Sequence, residues 1–302
     1  MATANYDVIM IGEGVSGLAC AGAARRAGLR VATFEANLFG GLVLNVAELE
    51  GVPGKSSGTD FASELMQANS EAGVESIQEP VTGLRPGSAG YEVTTAGGPF
   101  HARHVVIASG ARLRKLGVPG EDEFEGRGVS SCADCDAPMF QGEDVVVVGG
   151  GDSAMQESLV LAKFCRKVNI VIRGAQLRAR REFVERVESL PSVSIIRNAS
   201  VEAILGGKMV EKVRIRRGGA VEELPSAGLF AYVGLEPNAD FAPPGIKRDA
   251  GGRIMTNESL ETALPGVWAI GAVRSGYSGL LRDAVAEAER VAAAICDRLA
   301  RD

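Results

Sequence analysis

The chain carries one pair of side chains whose spacing suits reversible redox chemistry, Cys132 and Cys135, followed at once by the acid Asp136. Two thiols in a Cys-x-x-Cys arrangement can close a small disulfide ring and open it again, provided that the thiolate is stabilised at neutral pH. Half of a structural zinc site is the alternative, but such a site needs four ligands. The other cysteines and both histidines are scattered along the chain: Cys20, Cys165, Cys296, His101 and His104. This distribution favours redox chemistry over metal binding.

At 302 residues the chain is long for a single compact core, so two domains are expected. A formal net charge of -6 and a pI near 5.3 argue against a nucleic-acid-binding surface and against a polybasic membrane-binding surface. No apolar run reaches the length of a membrane-spanning helix, and the first residues lack the basic and apolar regions of a signal peptide. The cysteines are too sparse for a secreted disulfide scaffold, so a cytoplasmic location is expected.

A glycine-rich turn near the N-terminus lies between a predicted buried strand, residues 7–11, and a predicted Ala-rich helix that runs to about Arg26. Its glycines are Gly12, Gly14 and Gly17. In a dinucleotide-binding βαβ unit such glycines make the tight turn, let the backbone approach a pyrophosphate and let the helix pack against the strand. The helix N-terminus then faces the phosphates. Glu35, at the end of the next predicted strand (residues 31–35), lies where an acid binds ribose hydroxyls.

The same pattern occurs a second time, after a predicted strand at 144–148 and before a helix that runs to about Cys165. The residues assigned to nucleotide binding in this second turn are Gly149, Gly151, Asp152, Ser153 and Ala154. The following strand, 168–173, ends in Arg173 rather than in an acid, and Arg178 follows closely. Arginine at this point suits the additional phosphate of NADP(H) better than a bare ribose. The alternative is a solvated basic helix face.

The segment between the two glycine turns is predicted to contain a helix over 60–72 and an antiparallel insertion of short strands over 75–106. Turns are expected within the insertion at 85–87 and 97–98. Its two histidines are expected at a strand edge on the surface. Glycine and proline predict loops and linkers over further segments: 38–42, 48–54, 116–120 and 235–245. The remaining predictions are a β-rich segment, a buried strand and a terminal amphipathic helix: 193–225, 267–271 and about 280–300.

The repeated pattern and the two linkers predict an α/β fold with two Rossmann-like dinucleotide-binding domains of the three-layer ββα type. The second domain, residues 116–245, is inserted in the first, which comprises 1–115 and 246–302. Two linkers at one junction would allow the inner domain to rotate as a unit.

In the order of these motifs, nearly the whole chain resembles the low-molecular-weight thioredoxin reductases, which are FAD- and NAD(P)-dependent pyridine nucleotide-disulfide oxidoreductases. Besides the two glycine turns, Glu35 and the Cys-x-x-Cys-Asp, the matching segments are Gly40-Gly41, Ala108-Ser109-Gly110-Ala111, Arg127-Gly128-Val129-Ser130, Gly234-Leu235-Glu236-Pro237-Asn238 and Pro265-Gly266-Val267-Trp268-Ala269-Ile270-Gly271. The resemblance implies that the discontinuous domain binds FAD and that the inserted domain binds NAD(P)H and carries the cysteine pair.

The resemblance also implies the reaction. NADPH, or NADH, would reduce FAD, which would reduce the Cys132–Cys135 disulfide, with Cys135 nearer the flavin. Cys132 would attack the substrate disulfide of thioredoxin or another small disulfide, and Asp136 would protonate a leaving group. A homodimer is implied. Further positions implied to contact cofactors are Gly40, Gly41, Leu42, Asn45, Ala108, Gly110, Gly271, Ala272 and Asp283.

Several of these positions depart from the family pattern. Ala272 replaces an acid that holds the ribityl chain of FAD, Leu42 replaces a glutamine, and Asp283 replaces a glutamine beside the flavin ring. The phosphate clamp His-Arg-Arg is replaced by Ile172-Arg173-Gly174, while Arg178 matches a third family arginine. Losing one charge-assisted contact would weaken the preference for NADPH over NADH.

These departures leave alternatives open. One is an NADPH-independent FAD-dependent dithiol oxidase that passes electrons to O2, and a variant draws electrons from ferredoxin. Another is a redox sensor or binding protein whose cofactor sites are impaired. All of them keep the cysteine pair as the centre of the chemistry.

Overall fold

The structure, a computed structural model, describes residues 5–46, 49, 57–88 and 90–301. The chain divides into two compact units: Met1–Arg112 with Glu236–Asp302 form unit 1, and Leu113–Leu235 form unit 2. Residues 236–245, predicted as part of a linker, belong to unit 1 because Ala239 and Ala242 are buried in its core. The loop predicted at 48–54 lies outside the described residues except for Leu49.

The helices are α1 Val15–Arg26, α2 Gly58–Ala72, α3 Ala133–Asp136, α4 Asp152–Leu161, α5 Arg181–Glu188 and α6 Leu281–Leu299, with 3-10 turns at Gly41–Asn45, Ala137–Phe140 and Gly271–Val273. The strands are β1 Asn5–Ile11, β2 Val31–Phe34, β3 Glu75–Ile77, β4 Gly83–Gly87, β5 Gly90–Thr95, β6 Gly98–Ile107, β7 Ala111–Leu113, β8 Val129–Ser130, β9 Asp144–Val148, β10 Lys167–Val171, β11 Val193–Ile196, β12 Ala199–Gly206, β13 Val210–Arg217, β14 Ala220–Pro225, β15 Gly228–Ala231, β16 Leu235–Pro237 and β17 Val267–Ala269. None of the helices among the described residues is long and apolar enough to cross a bilayer.

Unit 1 is built on a sheet in the order β3-β2-β1-β6-β5-β4, with β17 also paired to β6. Its central pairings are parallel, whereas β4, β5 and the first half of β6 pair antiparallel. Alternate residues of β1 enter two cores, as the period of two along a strand requires. Val8 and Met10 pack with α1 and α6, while Ile9 and Ile11 pack with residues of β4 and β5. Unit 1 therefore has three layers: the helices, the parallel part of the sheet, and the antiparallel strands around β4 and β5.

The predicted antiparallel insertion needs three corrections. β3 pairs parallel with β2 and so extends the nucleotide-binding sheet. Residues 85–87 lie within β4 rather than in a turn, because β4 is an edge strand and Pro86, opposite Tyr91, can lie there without a ladder donor. His104 is buried on β6 rather than exposed at a strand edge.

Unit 2 repeats the three layers around a parallel sheet in the order β11-β10-β9-β15-β8. Val145 and Val147 face the helices α3, α4 and α5, whereas Val146 and Val148 face the antiparallel sheet β12-β13-β14. The β-rich segment predicted at 193–225 is thus divided, since β11 belongs to the parallel sheet.

Two element ends differ from the prediction in unit 2. α4 ends at Leu161, not near Cys165, because the chain turns back toward the start of β9, where Gly142 N–H donates to the Phe164 carbonyl. β10 ends at Val171, so Arg173 lies in the loop that follows the strand.

Candidate active site

The redox turn lies where β8, the edge strand of the parallel sheet of unit 2, passes into α3. Cys132 and Cys135 are joined in a disulfide with a Cα–Cα distance of 5.3 Å. Cys132 is the N-cap of α3, and its Sγ accepts a hydrogen bond from the Cys135 N–H at 3.2 Å. Cys132 is buried and Cys135 is exposed. One cysteine therefore lies at the surface, and the sulfur of the other accepts a backbone hydrogen bond.

The Asp136 carboxylate is fixed beside this disulfide by Ser130. The Ser130 hydroxyl donates to Asp136 Oδ2 at 2.6 Å, and Ser130 Oγ accepts from the Cys132 N–H at 3.1 Å. Ser130 thus ties the acid to the first cysteine through two hydrogen bonds. The sequence motif contains Ser130, but only the structure assigns it this contact.

A second carboxyl group, which the sequence did not single out, contacts the same turn. Glu157 on α4 accepts a hydrogen bond from the Ala133 N–H at 2.9 Å and from the Tyr232 hydroxyl at 3.3 Å. Burial raises the pKa of Glu157, and the charge of Asp134 acts in the same direction. Burial also raises the pKa of the Tyr232 phenol, followed by the charge of Glu157. The only sequence signal for Glu157 is its helical spacing of three or four residues from the apolar residues Ala154, Val160 and Leu161.

The other cysteines are poorly suited to exchange at neutral pH. Burial raises the pKa of Cys20 to about 12 and that of Cys165 to about 11. Cys296 is half-buried, and burial raises its pKa as well. Because the thiolate is the reactive form, thiol chemistry is concentrated at Cys132 and Cys135.

The first glycine turn has the geometry of a nucleotide cradle. Gly12 has φ of +109°, and a Cβ there would lie 2.5 Å from the Ala108 carbonyl oxygen. A Cβ at Gly17 would lie 1.9 Å from the Gly12 carbonyl oxygen. Gly14 is the N-cap of α1 and offers no side chain to its first N–H groups. The turn therefore leaves backbone donors at the start of a helix open to an anion.

Glu35 lies at the end of β2 next to this turn, where an acid that binds ribose would lie. Its Oε2 accepts a hydrogen bond from the Glu13 N–H at 2.9 Å, and its Oε1 accepts from the Asn37 N–H at 3.0 Å. A cavity of about 650 Å³ opens beside it, lined also by Gly12, Ser109 and Arg112. The glycines, the acid and the cavity together fit the adenosine diphosphate part of FAD.

The 3-10 turn Gly41–Asn45 follows the cradle, where the sequence predicted a loop over 38–42. Gly40 lies against the first turn, since its N–H donates to the Glu13 carbonyl at 2.7 Å. Leu42 is exposed and Asn45 is half-buried. Gly110, with φ of +64°, ends the segment after β6. The structure thus brings Gly40, Gly41 and Ala108 to the cradle.

The 3-10 turn Gly271–Val273 is held by a second acid that the sequence did not single out, Glu287. The Gly271 N–H donates to Glu287 Oε2 on α6 at 2.9 Å, and Glu287 is buried in an ion pair with Arg274. Ala272 next to it is half-buried. Asp283, at the start of α6, accepts from the Ser278 hydroxyl at 2.5 Å.

The second glycine turn forms a corresponding cradle in unit 2. Gly149 has φ of +140°, and a Cβ there would lie 2.2 Å from the Tyr232 carbonyl oxygen. Ala154 is buried against Gly149, whereas Gly151 is the N-cap of α4 and Ser153 is exposed. A cavity of about 520 Å³ opens beside this turn.

Basic side chains line that cavity: Arg114, Lys115, Arg173 and Arg178. The Arg178 N–H donates to the Gly150 carbonyl at 2.7 Å, which fixes the loop before α5 on the glycine turn. Asp152 accepts from the Arg180 N–H at 2.7 Å and from its Nε at 2.8 Å. Asp152 therefore anchors the basic loop, and Arg178 precedes α5 rather than lying on its face. The cavity and its charge fit a phosphorylated dinucleotide.

Comparison with known proteins gives consistent matches. The sequence profile of the family "Pyridine nucleotide-disulphide oxidoreductase" matches residues 6–288. The thioredoxin reductase of Treponema pallidum is 37% identical over 90% of each chain, and that of Listeria innocua is 39% identical over 89% of this chain and 86% of the relative. Among solved structures, the thioredoxin reductase of Lactococcus lactis has a TM-score of 0.92 at 32% identity, with 98% of this chain and 100% of that chain covered.

Proposed function

We propose that this chain, which belongs to the thioredoxin reductases within the pyridine nucleotide-disulphide oxidoreductase family, reduces thioredoxin through the Cys132–Cys135 disulfide. It is a disulfide oxidoreductase of an FAD-dependent family that uses pyridine nucleotides. The comparisons do not favour a dithiol oxidase, a ferredoxin-linked reductase or a redox sensor. We also propose that it forms a homodimer, on the basis of the resemblance, and that it is cytoplasmic, on the basis of its low cysteine content.

The observation that carries this proposal is that the two cysteines of the redox turn differ in exposure and in hydrogen bonding. Cys135 is the exposed cysteine of the pair, and we propose that the electron pair that opens the disulfide is taken up at its sulfur, so that Cys132 leaves as a thiolate. The Cys135 N–H already points at Cys132 Sγ at 3.2 Å and stabilises that negative charge. Cys132 is then the nucleophile for a partner disulfide. Its attack gives a mixed disulfide, which Cys135 resolves to regenerate the internal disulfide and release the reduced partner.

Asp136 would hold and deliver the proton that this exchange requires. The partner sulfur displaced in the first attack leaves as a thiolate, and protonation by a nearby carboxyl group makes the departure favourable. Ser130 orients Asp136 by donating to Oδ2 at 2.6 Å. We assign Asp136 as the acid and Ser130 as the residue that positions it.

When bound, FAD and the nicotinamide supply the electron pair that opens the disulfide. Gly12, Gly14 and Glu35 would hold the adenosine diphosphate part of FAD, because only a turn without side chains leaves this backbone accessible. Arg173 and Arg178 would bind the additional phosphate of NADPH. We therefore propose NADPH as the preferred donor.

An anaerobic titration of the purified protein tests this function. NADPH should bleach the visible flavin band at about one equivalent, and NADH should require a higher concentration. Cys132→Ser and Cys135→Ser should each abolish turnover with thioredoxin while the flavin still bleaches. A flavin that ignores both nucleotides but bleaches with a dithiol would contradict the proposal, and so would full activity in either variant.

A further inference from the structure

A carboxyl group that the proposed reaction does not use is hydrogen-bonded to the redox turn. Glu157 lies on α4, and its Oε2 accepts from the backbone N–H of Ala133, the residue that follows Cys132, at 2.9 Å. The same oxygen accepts from the hydroxyl of Tyr232, itself buried, at 3.3 Å. Glu157 thus holds the first turn of α3 from the side of the protein interior.

The backbone N–H groups of this turn are divided between acceptors on Cys132 and the carboxylate of Glu157. The Cys135 N–H donates to Cys132 Sγ at 3.2 Å, and the Asp136 N–H donates to the Cys132 carbonyl at 3.1 Å. The Ala133 N–H, which adjoins the sulfur-bearing residue, is taken by Glu157 instead. An N–H bound to a carboxylate contributes little to the stabilisation of a thiolate nearby, and the carboxylate adds a negative charge that opposes one.

The groups that face Glu157 come from each element packed around it. α3 contributes Asp134, whose charge raises the pKa of Glu157 after the larger effect of burial. The Tyr232 hydroxyl and the backbone N–H groups of Ala133 and Asp134 act in the opposite direction and favour the carboxylate. Asp136 on the same helix is engaged by Ser130. The Asp134 charge, the Tyr232 hydroxyl and the two backbone N–H groups therefore determine, together with burial, whether Glu157 carries a negative charge next to Cys132.

We propose that Glu157 is a positioning residue that lowers the reduction potential of the Cys132–Cys135 couple by holding a negative charge against the N-terminus of α3. Reduction breaks the S–S bond with two electrons and leaves Cys135 as a thiol and Cys132 as a thiol or a thiolate, with the protons taken from solvent. A carboxylate beside Cys132 disfavours the thiolate, and hence the reduced pair. The couple becomes a stronger reductant toward its partner.

This inference rests on the proposed role of the cysteine pair, but on neither the nicotinamide nor the partner protein. It also carries a pH signature. The negative charge matters only where Cys132 is ionised, so its effect on the potential is present above the pKa of Cys132 and disappears below it. A purely structural role for Glu157 would give no such dependence.

The first experiment measures the Cys132 thiol directly in the FAD-loaded Cys135→Ser protein. The rate of alkylation by iodoacetamide is followed against pH, with the modified residue identified by mass spectrometry. Adding Glu157→Gln should lower the pH at which the alkylation rate is half-maximal by about 1. This shift corresponds to a roughly tenfold larger fraction of Cys132 thiolate at low pH. Glu222→Gln, the same change on the exposed strand β14, is the matched control and should leave the profile unchanged.

The second experiment measures the potential of the intact pair in dithiothreitol redox buffers, by acid trapping and thiol counting. Glu157→Gln should make reduction about tenfold more favourable at alkaline pH, which corresponds to about 30 mV for a two-electron couple. The difference should vanish at acid pH, and Glu157→Asp, which keeps the charge, should remain close to the parent.

An unchanged pH profile and an unchanged potential in Glu157→Gln would overturn the inference. If that variant does not fold, Tyr232→Phe replaces it, because loss of the hydroxyl donor favours protonated Glu157 and should move the potential in the same direction. A constant potential in Tyr232→Phe would then overturn it. A parent protein whose disulfide cannot be reduced at all would contradict the proposed function instead, so the two failures are distinguishable.

Discussion

At the residue scale, the chemistry of this protein depends on how single hydrogen bonds distinguish two chemically identical sulfurs. The backbone N–H of Cys135 is directed at Cys132 Sγ, and the adjoining N–H of Ala133 is directed at a carboxylate. A sequence reveals which residue types are present but not which donor meets which acceptor. The Cys-x-x-Cys-Asp pattern therefore predicted the redox pair and its acid, whereas the contacts of Ser130 and Glu157 required the structure.

Removal of the acid tests the residue-scale assignment of Asp136. Asp136→Asn keeps the size of the side chain and its bond to Ser130 but cannot deliver a proton, so turnover with thioredoxin should fall about 10²- to 10⁴-fold. Flavin reduction by NADPH should remain. The exposed Asp297 on α6 provides the matched control, as Asp297→Asn, and should retain turnover. Full activity in Asp136→Asn would exclude it as the acid.

At the element scale, short segments complete the two glycine cradles. The 3-10 turns Gly41–Asn45 and Gly271–Val273 complete the cradle of unit 1, and the loop before α5 completes that of unit 2. The buried strands and glycine turns were predictable because hydrophobic runs and glycines report directly on burial and on turns. The end of α4 and the position of Arg173 were not, since both depend on hydrogen bonds to distant segments. Gly142 N–H donates to the Phe164 carbonyl after α4, and the residues on either side of Arg173 bond to Ile196 and Asn198. The role of Asp152 likewise follows from its contacts with Arg180, which lies far along the chain.

The turn Gly271–Val273 gives the first element-scale prediction. Ala272 has only a methyl group where the resemblance implies an acid that holds the ribityl chain of FAD, and its neighbour Gly271 is bonded to Glu287. Ala272→Asp should add a charge-assisted hydrogen bond to FAD of about 1.5–3 kcal/mol, which is roughly a 10- to 150-fold tighter dissociation constant. The measurement is titration of the apoprotein with FAD by fluorescence, with Ala272→Asn as the uncharged control. Equal affinity in the parent and Ala272→Asp would refute a ribityl contact at this position.

The loop before α5 gives the second element-scale prediction. Asp152 holds the loop through Arg180, and the same loop carries Arg178 to the cavity of unit 2. Asp152→Asn should raise the KM for NADPH about 3- to 10-fold, the effect of one weakened polar contact of about 0.7–1.4 kcal/mol, with little change in kcat. Glu182→Gln, which removes the other acid paired with Arg180, is the control and should leave the KM unchanged. An unaltered KM in Asp152→Asn would mean that the loop is held without this contact.

At the scale of the whole molecule, the insertion of one unit in the other was predictable because the glycine pattern occurs twice. The bounds of the inserted unit differ from the prediction, since it was expected to end at residue 245 and ends at Leu235. Residues 236–245 carry one glycine and three prolines, a composition typical of a linker, yet Ala239 and Ala242 are buried in unit 1. Small apolar residues give too weak a signal in sequence to distinguish a buried segment from an exposed connection.

The separation of the cores leads to a prediction about folding. The two hydrophobic clusters of unit 2 draw all their residues from within Leu113–Leu235. A parallel sheet covered on both faces, by helices and by β12-β13-β14, has the layers that an independent domain needs. The fragment 113–235, expressed alone, should therefore unfold in a single cooperative transition in urea, followed by circular dichroism, and should retain the Cys132–Cys135 disulfide. Val147→Asp, which buries a charge in one of these clusters, is the destabilised control. A fragment that shows no cooperative transition would mean that unit 2 depends on unit 1 for its stability.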